Sequence, residues 1–187
     1  MGIDNIVIDN FNLGKLPPQA TNIEEVLLGG MLLEKSTCQK ILRMLIPETF
    51  YKDAHQKIFS AIKSISLTTA SQVDIILVTN YLRKSGELDI VGGAYYITCL
   101  TDRVASGANC TEYAFILIQK YLQRLLIQHS SEVIKDCYND ETDIFNTIQK
   151  ISKLLSEVNR IIYTKKISNY AESLDKVLQR ITELAEG

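Results

Sequence analysis

Between Asn109 and Ile162 the sequence leaves little choice of fold. Ile144, Ile148, Ile151, Leu155, Val158 and Ile162 recur in steps that alternate four and three. That spacing is the narrow seam of a heptad rather than the broad stripe of an ordinary surface helix. Upstream, 109–138 contains neither Pro nor Gly and is apolar on more than one face, and Phe115, Ile118 and Leu122 share one of those faces. Asn139, Asp140, Glu141, Thr142 and Asp143 separate the two stretches with residues that cap helices and form turns. The pattern predicts a long helical hairpin with apolar surface beyond what its own two arms need.

The rest of the chain is consistent with an all-α protein. Pro47 is the last of only 3 prolines among 187 residues, and 46% of the residues are hydrophobic, enough for a real core. Glu24 stands three residues after Thr21, a capping box that opens a first helix through Val26, Leu27, Met31 and Leu32. Gly29-Gly30 in its interior weakens that helix unless another helix approaches closely there. A second helix is expected from about Ser36 to Leu45, ending before Pro47. Asp53 to Gln56 repeats the capping pattern and opens a third helix through Ile58, Phe59, Ile62 and Ile65. The β-branched run 73–79 has strand propensity, but Asp74 as a cap, Arg83-Lys84 in a last turn and Gly86 just beyond favour a helix. A fifth helix begins at Val91-Gly92-Gly93.

Beyond the hairpin, Ser168 caps a last helix whose apolar residues are Tyr170, Leu174, Val177, Leu178, Ile181 and Leu184. A lone amphipathic helix of this length is marginal in water unless it docks on something. The chain therefore divides into a flexible tail (1–16), a globular helical bundle (17–105), a helical hairpin (106–163) and a separate helix (164–187).

No catalytic constellation emerges. The sequence lacks a nucleophile elbow, a zinc-protease helix, a dinucleotide fingerprint and a Walker A loop. Cys38, Cys99, Cys110 and Cys137 form no close pair, so buried thiols are expected rather than a metal site. His55 sits in the first turn of its helix away from any evident base, and packing or surface exposure is its expected role. Tyr95, Tyr96 and Tyr113 are expected in the core with their polar tips reaching solvent. A net charge of −2 gives no basic footprint for a phosphate backbone, so no direct nucleic-acid binding is expected. The longest apolar run, 113–118, is too short to span a bilayer, and a cytoplasmic protein without membrane contact is expected.

Several short stretches taken together resemble the N-terminal region of bacterial replicative DNA helicases of the DnaB type. They are Leu16-Pro17-Pro18-Gln19-Ala20, Glu24 to Gly29, Pro47-Glu48-Thr49-Phe50-Tyr51, and Ala54-His55-Gln56-Lys57-Ile58-Phe59. The series continues in Val73-Asp74, Leu82 to Leu88, Val91 to Tyr95, Ser106 to Asn109 and Tyr113-Ala114. Each is modest alone, and their order and spacing carry the similarity.

The resemblance implies a helical globule and hairpin, then a linker helix leading into a RecA-like ATPase domain absent from this sequence. It implies hairpins that pair into dimers, with three dimers forming a hexameric collar. Phe115, Ile118, Leu122, Ile144, Ile148, Ile151, Leu155, Val158 and Ile162 would supply the hairpin interface. The Tyr170–Leu184 face would dock on the neighbouring subunit's motor domain. A DnaG-type primase and a helicase loader are the implied partners. No cofactor is implied for these residues, ATP and Mg belonging only to the absent domain. Lys150, Ile151, Ser152 and Lys153 depart from the acidic-Ala-Glu pattern of the family and are candidate partner contacts. A free-standing helical adaptor with the same fold is the alternative.

Overall fold

A computed structural model describes residues 15–68, 72–104 and 109–161. Among them are seven α-helices and no strand: α1 (Thr21–Leu33), α2 (Lys35–Met44), α3 (Asp53–Thr68), α4 (Ile75–Lys84), α5 (Gly93–Asp102), α6 (Cys110–Cys137) and α7 (144–161). A short 3-10 turn, Pro47–Thr49, separates α2 from α3. The tail Ile6-Val7-Ile8, Ile162 and the expected Tyr170–Leu184 helix lie outside the described residues. The chain forms two compact units, 12–127 and a second that includes 128 onward, so the division falls inside α6.

In the first unit α1 is the central helix. Leu27, Leu28, Met31 and Leu32 are buried together with Gly29 and Gly30, and α1 packs on α2, α3 and α5. A helix buried on so many sides cannot show a clean amphipathic stripe. Around it lie Ile41 of α2, Ile58, Phe59 and Ile62 of α3, Val78 and Leu82 of α4, and Ile97 and Leu100 of α5. Phe50 and Phe59 meet as a tilted aromatic pair with ring centroids 5.0 Å apart. The proximal part of α6 adds Ala114, Leu117 and Ile118.

Helix ends follow local chemistry where the long-range fold permits. Asp74 accepts a hydrogen bond from the Leu77 N–H at 2.8 Å and caps α4. At its far end Gly86 takes φ +74°, and the amides of Glu87 and Gly86 bond to the carbonyls of Leu82 and Arg83. That is a Schellman closure, which an L side chain at Gly86 would strain. Gly92 (φ +94°) precedes α5 and is its N-cap.

Two capping expectations fail. Ala20, not Thr21, stands at the N-cap of α1, and no side chain caps that end. Glu24 is fully buried and bonds to residues about thirty positions away instead of turning back on its own helix. Asp53 lies inside the first turn of α3, whose first bonds are received by the Lys52 carbonyl. At Glu24 tertiary partners outcompete the local box.

Arg124 ties α6 to the start of the globule. Its guanidinium donates to the carbonyls of Pro18 (3.0 Å), Glu48 (3.1 Å) and Thr49 (2.8 Å) and lies over the rings of Tyr51 and Tyr121. Only the forked arginine donor set can gather carbonyls from two segments in this way.

Gly29 accounts for the closeness of α1 and α5. A Cβ there would stand 2.1 Å from the Leu100 carbonyl oxygen, whereas one on Gly30 would meet nothing nearer than 3.5 Å. Gly29→Ala must push backbone from backbone and is expected to cost at least ~1–3 kcal/mol. Gly30→Ala is expected to be neutral or stabilising, by up to about 1 kcal/mol of helix propensity. Urea unfolding of both variants checks the contrast, and equal losses would contradict it.

Candidate functional site

Two features of the described residues could carry a function: a buried polar cluster in the first unit and an exposed apolar row on α7. The cluster starts at the first turn of α1. The Glu24 carboxylate receives the Tyr51 N–H at 2.6 Å and lies 2.6 Å from His55 Nδ1. His55 Nε2 is 2.7 Å from the Tyr96 hydroxyl, which donates to Glu25 Oε1 at 3.3 Å. Glu25 also pairs with Lys52 at 3.1 Å and with Arg103 at 2.7 Å. His55, which has no evident partner in the sequence, is thus fully buried and bonded at both ring nitrogens. Its partners lie 31 and 41 residues away, where no local pattern reveals them.

Carboxylate, imidazole and hydroxyl in a row have the outline of a nucleophilic relay. Electrostatics argue against that chemistry. Burial first, and then the negative charge of Glu25, push the Tyr96 phenol up to about 12, the opposite of activation. Glu25 moves the other way: burial raises its value, but the Lys52 hydrogen bond and the charges of Lys52, Arg103 and His55 outweigh this and lower it. The cluster reads as a tie between α1, α3 and α5. Beside it, Asn22, Ile23, Val26, Arg103 and Tyr113 line an open depression of about 500 Å³.

The cysteines and tyrosines only partly follow expectation. Cys38 and Cys110 are buried, and burial raises both thiols, Cys38 to about 11, which makes them poor nucleophiles. Cys99 is half-buried and Cys137 exposed, because each falls on an outward position of its helix. Tyr95 is 82% exposed rather than a core residue, whereas the Tyr96 tip points into the polar cluster instead of solvent. No group of His, Cys, Asp and Glu among the described residues could hold a metal. No helix among them is long and apolar enough to cross a membrane.

On α7 the structure resolves the single heptad seam into two adjacent rows. Ile148 and Leu155 are 55% and 53% exposed, and Ile144 and Phe145 are exposed with them. Ile151 and Val158 are half-buried. The buried row is Thr147 and Leu154, flanked by Ile151, Val158 and Ile161. The Thr147 hydroxyl donates to Asp136 of α6 at 3.3 Å, and Lys150 pairs with the same carboxylate at 2.7 Å. Thr147 was missed because a hydroxyl breaks the apolar pattern, and Leu154 because its neighbour Leu155 fits the regular step. On α6, Ile118 is buried within the first unit while Phe115 and Leu122 are half-buried. Lys150, a candidate partner contact, already has an intramolecular partner; Lys153 is exposed.

Two variants test the cluster. His55→Ala removes the ring from the buried Glu24 carboxylate and leaves a cavity, with an expected loss of about 3–5 kcal/mol in denaturant unfolding. Glu25 has a folded value below its unfolded one, so the unfolded chain binds the proton more readily. Its stabilisation is therefore complete above the ordinary value of 4.5 and is lost as pH falls through the lower folded value. Glu25→Gln should lose stability near neutral pH, with the gap to the parent narrowing below pH 4.5. A gap that stays constant with pH would contradict the assignment.

The family model of the DnaB-like helicase N terminal domain matches residues 16–119. The replicative DNA helicase DnaB of Rhodothermus marinus is 33% identical over 90% of this chain, which spans 18% of that protein. The replicative DNA helicase DnaC of Bacillus subtilis is 30% identical over 91% of the chain, which spans 37% of that protein. The chain thus covers well under half of these curated relatives. The crystal structure of the N-terminal domain of DnaB helicase from Mycobacterium tuberculosis is 31% identical. It superposes on 78% of this chain and 99% of its own, with a TM-score of 0.68. A structure of a DnaB-like replicative helicase and its interactions with primase has the same fold at 23% identity and a TM-score of 0.57. The helical globule built on α1 and the start of α6, over which the family match runs, place this chain in the DnaB-like helicase N-terminal domain family.

Proposed function

We propose that this chain is the N-terminal collar and linker region of a replicative DNA helicase, serving in the cytoplasm as an assembly scaffold and as a docking module for primase or a loader. The observation that carries this reading is the exposed row Ile144, Ile148 and Leu155, which lies beside the row that α7 buries. Surplus apolar surface on a helix with heptad spacing is what a pairing element requires. Family membership supports the replication role, and one similar helicase is described together with primase. In this reading hairpins pair through the exposed row of α7, and three dimers make a hexamer. ATP and magnesium belong to a motor domain outside these residues. The Tyr170–Leu184 face couples to the motor domain of the neighbouring subunit.

Static light scattering over a concentration series tests the pairing. The chain is expected to self-associate. Leu155→Asp should raise the dissociation constant at least about tenfold, equivalent to ~1.4 kcal/mol, while circular dichroism stays unchanged. A strict monomer at high micromolar concentration would sink the proposal. For the coupling helix, Leu178→Asp should abolish binding to a motor domain without unfolding the globule. Global unfolding would place that helix inside its own subunit.

A further inference from the structure

Two heptad seams share α7, and one of them is taken up by the chain's own packing. That seam is Thr147 and Leu154, with Ile151 and Val158 beside it. Phe145, Ile148, Ser152, Leu155 and Asn159 step by three, four, three and four along the neighbouring face, and all five are exposed. Phe145, Ser152 and Asn159 thus stand at one core position of a second heptad, and Ile148 and Leu155 at the other. The positions flanking this seam are uncharged as well, while Lys150, Lys153, Glu157 and Arg160 occupy the outer positions of the helix. The Ser156 hydroxyl donates to the Ser152 carbonyl at 2.9 Å, so it keeps its partner when an apolar side chain covers it.

A face without charge gives an acidic or basic partner nothing to select. Its own sequence, by contrast, supplies a complement, with bulky and small residues spaced to meet across a two-fold axis. Resting on the pairing of hairpins through α7, we propose that a second copy seats its α7 on this seam in the antiparallel direction. Ser152 then takes the partner's Leu155, Asn159 takes the partner's Ile148, and the symmetry makes each contact occur twice.

Side-chain volume separates this arrangement from the parallel one. Parallel helices would set Phe145, Ser152 and Asn159 each against its own copy. A layer of two phenyl rings and a layer of two hydroxymethyl groups would then lie about 10 Å apart on the same pair of helices. No single distance between the axes packs both without a clash or a void. Antiparallel layers set large against small and keep the separation even. Charge runs the same way. Asp140, Glu141 and Asp143 make the turn before α7 acidic, whereas Arg160 lies near its far end and Lys165 and Lys166 follow in the sequence. Antiparallel seating brings unlike ends together, and parallel seating would stack two acidic turns.

Disulfide trapping in the whole chain tests the direction, with Cys99 and Cys137 first changed to serine. Ile148→Cys and Asn159→Cys proteins, one of them labelled with nitrogen-15, are mixed, oxidised mildly and weighed by mass spectrometry. The mixed disulfide is expected to exceed either self-pair by at least about tenfold, because antiparallel seating leaves the two copies of position 148 about 16 Å apart along the axis. Self-pairs that dominate would overturn the antiparallel seating while leaving pairing through α7 in place. Association in light scattering with no disulfide of any kind would overturn both, and so would a chain that stays monomeric. Mixing Ser152→Cys with Leu155→Cys gives the same readout should Ile148→Cys weaken association.

Discussion

A carboxylate fully out of water sets the terms for the whole globule. An ionised side chain is tolerated in an interior only when hydrogen bonds and opposite charge replace its hydration. Glu24 has no exposed surface, so its replacements must come from elsewhere in the chain: the backbone amides of Tyr51 and Lys52 and the His55 ring. These partners fix the entry to α3 against the first turn of α1. His55 then hands the constraint to Tyr96, which orients α5. Gly29, one turn further along α1, lets that same α5 approach until only a hydrogen atom fits between them. Polar partners choose the orientation, and missing side-chain volume permits the distance.

Elements whose signals are local were legible in the sequence. Asp74, Gly86 and Gly92 bound their helices as expected because a cap or a positive φ depends on a few neighbouring residues. The paired glycines of α1 also gave a sound conditional: costly alone, sensible under a close neighbour. Glu24 and His55 could not be read in this way. In sequence they look like a capping residue and a packing or surface histidine, and only partners some thirty residues away reveal the buried pair. Periodicity likewise found the right helix in α7 but merged two faces into one. Adjacent rows on a helix differ by a rotation smaller than the scatter of a six-residue seam, so spacing cannot separate a row that packs at home from one left exposed.

The polar residue in the buried row of α7 has its own significance. Thr147 sits where an aliphatic residue would pack better, and it shares Asp136 with Lys150. A hydrogen bond at a seam position discriminates between registers, because sliding either helix by one turn would strand the buried hydroxyl. The hairpin gives up some apolar contact there and gains a unique alignment. That alignment determines where Ile148 and Leu155 are displayed.

Arg124 bears on the order in which the chain can become organised. The carbonyls it gathers precede it by 106, 76 and 75 residues. Loops of this length cost little more than those closed by the α1–α5 contacts, such as Tyr96 with Glu25 71 residues apart, so chain order rather than loop entropy sets Arg124 apart. During synthesis, Pro18 and the Pro47–Thr49 turn leave the ribosome long before Arg124 does. Until it arrives, their carbonyls can bond only to water. The five-helix core and its α6 clasp are therefore separated in time as well as along the sequence.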